Sequence, residues 1–325
     1  MLFRSARGFC DHVLPEELIF DERSRPRGTR CDLYDNEINV YGRDPKTRFA
    51  QRPLDNVGVQ YGLRAFNEGK IEFEQFVELN EIVGGYDNDG RTVATRTVAS
   101  PAAVHTAFAN GLILTGGGGL AQTPILEWRP YSDDLADNHD DFRSFVTRAR
   151  LAKTNGEANN HVLVVYPRYS TLNLVFFAAV RRWEVVFPEH ARELVLQMDR
   201  WLDGIQSDST PGSLAEKVAR DRPTDVADGC WTLQGERIIE QASYDKVGTC
   251  TRLYPPHADP RIAAGGPLTD DVLKCELKPV DRTDYTHSLS VEQLSRLRAV
   301  FPMGVCDYTR PSVGYEKTSS TWRFF

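Results

Sequence analysis

Two side chains in this sequence have the types and spacing for acid–base chemistry. Asp133 stands just after the strand-like run Pro124-Ile125-Leu126-Glu127-Trp128-Arg129, and His139 follows six residues on. A carboxylate at the end of a strand can orient an imidazole while that ring takes a proton from a nucleophile, the requirement of acyl transfer. His161 is the rival base, but it opens a strand and is expected to be a buried, hydrogen-bonded residue. His105 is expected to be packed and His190 solvated. The competing account of Asp133 and His139 is an acidic loop leading into a helix whose first turn happens to hold a histidine.

The nucleophile is missing from the pattern. No serine has glycine two before and two after it, so the G-x-S-x-G elbow of esterases is absent. Residues 116–119 are four glycines, but no Gly-Lys-Ser/Thr follows, so a flexible turn is expected rather than a phosphate loop. Asp87-Asn88-Asp89-Gly90 imitates part of a calcium loop, yet Gly85 occupies the first ligand position and Arg96 the last, which makes a plain turn the expectation. No cofactor and no metal is called for.

The elements that must position Asp133 and His139 are legible around them. The strand over 124–129 precedes a helix in which Asn138 can cap and Phe142, Phe145, Val146 and Ala149 form an inner face, with Gly156 past its end. His161-Val162-Leu163-Val164-Val165-Tyr166 then has the length and composition of a buried parallel strand. Together these predict one β-α-β unit. A long helix is expected after Pro188, with Ala191, Leu194, Val195, Met198, Trp201, Leu202 and Ile205 packed on a sheet. Two helices are expected within 57–85, split at Gly69, and another opened by Pro101 and closed near Gly111. Residues 1–60 read as loops with strand-like pieces such as 37–41. After Gly204 only one clear helix is expected, 291–300, introduced by a Ser290 and Gln293 capping box. The divisions are 1–115, a loop-rich and helical cap region; 116–205, an α/β core; and 206–325, a disulfide-tied tail.

Composition narrows the function classes. With 325 residues and 41% apolar content, a sizeable core is affordable. The 39 Lys and Arg against 46 Asp and Glu give a formal charge of -7, so no global basic field holds nucleic acid. The apolar stretch 172–180 is far short of the roughly 20 residues that cross a bilayer. The first nine residues lack the apolar run of a secretory signal. The six cysteines nonetheless show no C-x-x-C pair, so disulfides, and hence a secreted or periplasmic setting, are the expectation. Spacing suggests Cys10 with Cys31, Cys230 with Cys250, and Cys275 with Cys306, among several possible connectivities.

Three segments carry a resemblance: Cys31-Asp32-Leu33-Tyr34-Asp35-Asn36-Glu37, the run 52–63 beginning Arg52-Pro53-Leu54-Asp55-Asn56, and the run 271–279 with Cys275 at its centre, continued by Gly304-Val305-Cys306-Asp307. They resemble an uncharacterised bacterial family of secreted, α/β-hydrolase-like proteins near tannases and hydroxybutyrate-oligomer esterases. The resemblance implies a chain order of serine, acid, histidine, with the acid on Asp133 and the histidine on His139. It also implies that this chain is the C-terminal portion of an α/β-hydrolase-like sheet, whose missing N-terminal part carries the serine, and that alone it is inactive. The usual layout puts the base after the final strand, and residues 167–174 contain no histidine, so His139 departs from it. A second reading, from another class, keeps the fold as a non-enzymatic carbohydrate- or polymer-binding protein, with Trp128, Tyr131 and Trp231 as its aromatic surfaces.

Overall fold

A computed structural model describes residues 13–21, 23–29, 33–88, 90–135, 139–168, 183–257 and 259–317, with side chains in the helices that begin at 33 and 183 described from 37 and 192 onward. In chain order the elements are α1 (Leu33–Tyr41), α2 (Leu63–Asn67), α3 (Phe73–Ile82), β1 (Gly85–Tyr86), β2 (Thr92–Val93), α4 (Pro101–Ala109), β3 (Ile125–Pro130), α5 (Phe142–Asn155) and β4 (His161–Tyr166). There follow α6 (Trp183–Ser207), α7 (Leu214–Arg220), β5 (Gly229–Trp231), β6 (Arg237–Ile239), α8 (Thr249–Leu253), α9 (Pro260–Ala263), β7 (Glu276–Lys278), α10 (Val291–Val300) and β8 (Val305–Asp307).

Contacts group the chain into two units, one of residues 1–113 and 260–325, the other of residues 114–259. In the first, α2, α3 and α10 enclose Phe66, Phe76, Leu294, Leu297 and Phe301, and the rings of Phe66 and Phe76 stack with centroids 5.0 Å apart. The antiparallel pair β7 and β8 carries the Cys275–Cys306 disulfide at its edge. The split at Gly69 separates α2 from α3 as the spacing predicts. α4 opens on Pro101 behind a Ser100 cap, since proline lacks the N–H that a first turn leaves unbonded anyway. In α10 the Ser290 and Gln293 capping box closes both ways, each side chain reaching the other's backbone N–H.

The second unit is a four-stranded sheet in the order β3-β4-β5-β6, parallel from β3 to β5 and antiparallel at β6. The β3-α5-β4 crossover is the β-α-β unit that the sequence predicts, and β4 is buried along its whole length. Alternation along the strands separates two faces. Leu126, Trp128, Val162 and Val164 meet Trp201 and Val218 on one face, while Glu127, Arg129, His161 and Val165 lie on the other.

Several expectations change. Residues 37–41 are the end of α1, not a strand piece, because the Ile38 and Val40 alternation is too short to outweigh helix formation. α5 begins at Phe142 with Asp141 as its cap, so His139 precedes the helix instead of sitting in its first turn; Asn138 lies outside the described residues. α6 starts at Trp183 and runs through Pro188, giving up one backbone hydrogen bond. Its inner stripe is Leu194, Gln197, Trp201 and Ile205, whereas Val195 is 68% exposed and Leu202 48%. Gln197 replaces an expected apolar contact because the 3.6-residue period carries it, and not Val195, under Trp128. The tail also contains α7, α8 and α9 besides α10. Residues 172–180 and the Cys10–Cys31 pairing fall outside the described residues. Among the described residues no helix is long and apolar enough to cross a membrane.

Candidate functional site

β3 carries the chain to the acidic loop. Tyr131 extends the ladder by donating its N–H to the carbonyl of Tyr166, and the chain then turns through Ser132 into a 3₁₀ turn at Asp133–Leu135. Asp133 is 1% exposed. Its Oδ1 accepts the backbone N–H of Asp141 at 2.7 Å and its Oδ2 accepts the backbone N–H of His257 at 2.9 Å. A buried carboxylate is tolerated where such donors satisfy it. His139 lies in the same connection between β3 and α5, exposed, ahead of the Asp141 cap.

Asp134, next to Asp133, is held by the Arg168 guanidinium at 2.8 and 3.3 Å. That hydrogen bond, with a smaller contribution from His257, keeps the Asp134 carboxyl below its ordinary value. Tyr131 donates its hydroxyl to the carbonyl of Pro255 and packs its ring against Tyr254, centroids 5.4 Å apart. Burial first, and then the charges of Asp133 and Asp134, push the Tyr131 hydroxyl up to about 12. The Tyr254-Pro255-Pro256-His257 segment is thereby docked on the end of β3, behind α8, which the Cys230–Cys250 disulfide ties to β5.

His257 is a residue the sequence reading passes over. Its signal is the rigid Pro-Pro before it and its position downstream of the acid in chain order. Asp141, which caps α5, is 1% exposed, and burial followed by the charge of Asp133 pushes its carboxyl up to about 8.

Below this loop, between the sheet and α5, Arg148 organises a buried polar cluster. It grips Asp228 with two nitrogens at 2.6 and 2.7 Å, and donates from Nε to Nδ1 of His161 at 3.0 Å. A guanidinium only donates, so Nδ1 must accept and the ring proton sits on Nε2, 3.5 Å from Oε1 of Glu127. His161 is therefore the buried, hydrogen-bonded histidine expected of it. Burial pushes Glu127 upward, but the neighbouring His161 ring and Ser144 outweigh it and leave the carboxyl below its ordinary value. His105, expected to be packed, is exposed and pairs with Glu316 at 2.6 Å, because the helix turns the neighbouring Ala103, Val104 and Ala107 inward instead. The His190 side chain lies outside the described residues.

The glycine run has a packing role. Gly116 has φ +81° and lies against the backbone of α5 at Arg150, with its carbonyl accepting from Asn155 at 2.9 Å. The Asp87 segment is a hairpin turn, with the Asp87 N–H donating to the Arg91 carbonyl. Trp128 and Trp231 are both partly buried and line one pocket with Gln197 and Arg237, while Tyr131 faces Tyr254 elsewhere. Among the described residues no group of His, Cys, Asp or Glu is arranged to hold a metal ion.

Among known families, the model of a tannase-like family of unknown function (DUF6351) matches residues 3–317. No curated protein and no solved structure matches.

Proposed function

We propose, from the premise that the chain belongs to this tannase-like family, that it carries the acid and the base of a carboxylic-ester hydrolase. The sheet is read as the C-terminal portion of an α/β-hydrolase sheet, with Asp133 as the acid and His139 as the base. The observation that carries the reading is Asp133 itself: a buried carboxylate just beyond the carboxyl end of a parallel strand, fixed by two backbone N–H donors from distant segments. Carboxyl ends of parallel strands are where α/β folds place their sites.

In this reading a serine oxygen attacks the ester carbonyl while His139 takes its proton, and Asp133 stabilises the imidazolium. The imidazolium returns the proton to the departing alcohol, and water repeats the cycle on the acyl-serine. No G-x-S-x-G serine is present in the 325 residues, so the nucleophile is supplied by polypeptide outside this sequence, and the chain alone turns over no ester. The reading calls for no cofactor, and the cysteine usage fits a secreted setting.

His257 is a second candidate base, favoured by the backbone N–H that anchors its segment on Asp133 and by its place after the acid in chain order. Joining the genomic coding sequence upstream of Met1 and assaying a nitrophenyl ester tests the proposal. Turnover that falls by about a thousandfold in His139→Ala and survives in His257→Ala supports it as stated. The reverse result moves the base to His257. An inactive joined protein removes the hydrolase reading and leaves the Trp128 and Trp231 pocket as the basis for carbohydrate or polymer binding.

A further inference from the structure

Asp141 and Asp133 are two carboxyls packed into one buried corner. Each is 1% exposed, and the N–H of Asp141 donates to Oδ1 of Asp133. Both Asp133 oxygens accept backbone donors, whereas Oδ1 of Asp141 is buried with no hydrogen-bond partner among the described residues. The charged groups around Asp141 do not compensate for two anions. From β3 come Glu127 and Arg129, from the acidic loop Asp133, and from the turn before α5 Asp140, with Arg143 3.6 Å from it. The Arg129 guanidinium is directed to the backbone carbonyl of Asp140. On the other side, Asp141 lines a small pocket with Phe145, Val165, Ala242, Tyr254 and Glu240, and Glu240 is already taken by the N–H groups of Thr249 and Cys250. Apart from Glu240 and the Thr251 hydroxyl, that lining is mainly apolar, and the pocket has room for about one water.

We propose that Asp141 is kept as the uncharged acid, so that the charge of the pair stays on Asp133, and that Asp141 is thereby the positioning residue for Asp133. This rests on the reading of Asp133 as the acid of the site. When a solvent base removes the Asp141 proton, two like charges face each other in one buried corner, and the Asp133 turn is pushed off the N–H of Asp141. Burial and the neighbouring Asp133 charge act in the same direction on the Asp141 carboxyl, which is pushed up to about 8. The sign follows from linkage. Between about pH 4 and pH 8 the folded chain holds a proton that the unfolded chain has lost, so stability declines as pH rises through that window.

The test compares thermal unfolding of the 325-residue chain and its Asp141→Asn variant across that range and up to about pH 9, together with the carbon-13 carboxyl signals of aspartate-labelled wild type. The expected result is a midpoint that falls with pH in the wild type and stays level in Asp141→Asn, and one aspartate carboxyl titrating near pH 8. Parallel pH curves for the two proteins would overturn the proposal, as would the lack of any aspartate carboxyl titrating above about pH 6, a readout that holds even if the variant does not fold. Neither measurement uses ester turnover, so failure of the hydrolase reading and failure of this one are separate results.

Discussion

The backbone N–H of His257 donates to Oδ2 of Asp133 across 124 residues of sequence, and through this bond the loop after α8 closes over the end of β3. An aspartate here accepts at both oxygens, from His257 and from Asp141. Asn in its place presents an amide NH₂ to one of those N–H donors. Asp133→Asn is therefore expected to lower stability by about 2 kcal/mol, and Asp133→Ala by at least as much, measured by urea denaturation of the chain alone. An unchanged midpoint for Asn would mean that the two N–H groups do not hold this side chain in solution.

Arg148 and Asp228 make a well-satisfied charge pair in the second unit, since Asp228 also accepts the N–H groups of Leu163 and Ala242. Removing one partner strands the other charge, so Asp228→Ala should cost about 3 kcal/mol. Burial pushes the Asp228 carboxyl upward, but Arg148 and these N–H donors hold it below the usual range. A depressed folded value means that this stabilisation is present above the unfolded value near 4 and is lost as pH falls through the folded one. Acid titration of the wild type should show that loss, and Asp228→Ala should remove it.

Gly116 and Gly119 both have positive φ, at +81° and +99°, but only Gly116 abuts another backbone. A methyl at 116 collides with the Arg150 carbonyl of α5; one at 119 meets nothing. Gly116→Ala is expected to cost about 3 kcal/mol, from overpacking plus the left-handed penalty, and Gly119→Ala about 1 kcal/mol, from the penalty alone. Denaturation midpoints of the two variants decide this. Equal losses would contradict the close approach at 116.

Among the described residues the disulfides span 20 residues at Cys230–Cys250, in the second unit, and 31 at Cys275–Cys306, in the first. In the chain-entropy model each contributes about 3 kcal/mol. Paired serine substitutions should show separate losses, the first loosening the segment that carries His257 and the second the β7 and β8 pair. Hydrogen exchange under each double substitution reports which unit opens. Loss of protection in the same unit for both would contradict this assignment.

Much of the scaffold was legible because its signals are local. The apolar run from His161 to Tyr166, the alternation before Asp133, the Ser290 and Gln293 box and the break at Gly69 each encode one element through its nearest neighbours. Family membership was legible from the cysteine-bearing segments, and two of the three cysteine spacings gave the observed pairs. The inward face of α6 was misread at Val195 and Leu202 because several apolar stripes fit the same sequence, and only the packed sheet selects among them.

Of the proposed site, the sequence alone determined that a carboxylate, Asp133, stands just beyond a strand. It determined too that no elbow serine accompanies it, since both facts are matters of order along the chain. Tertiary structure decided that Asp133 is buried and held by Asp141 and His257, and that His161 is locked under Arg148. Both depend on residues tens to more than a hundred positions apart, and burial and charge coupling arise only when such residues share one low-dielectric corner.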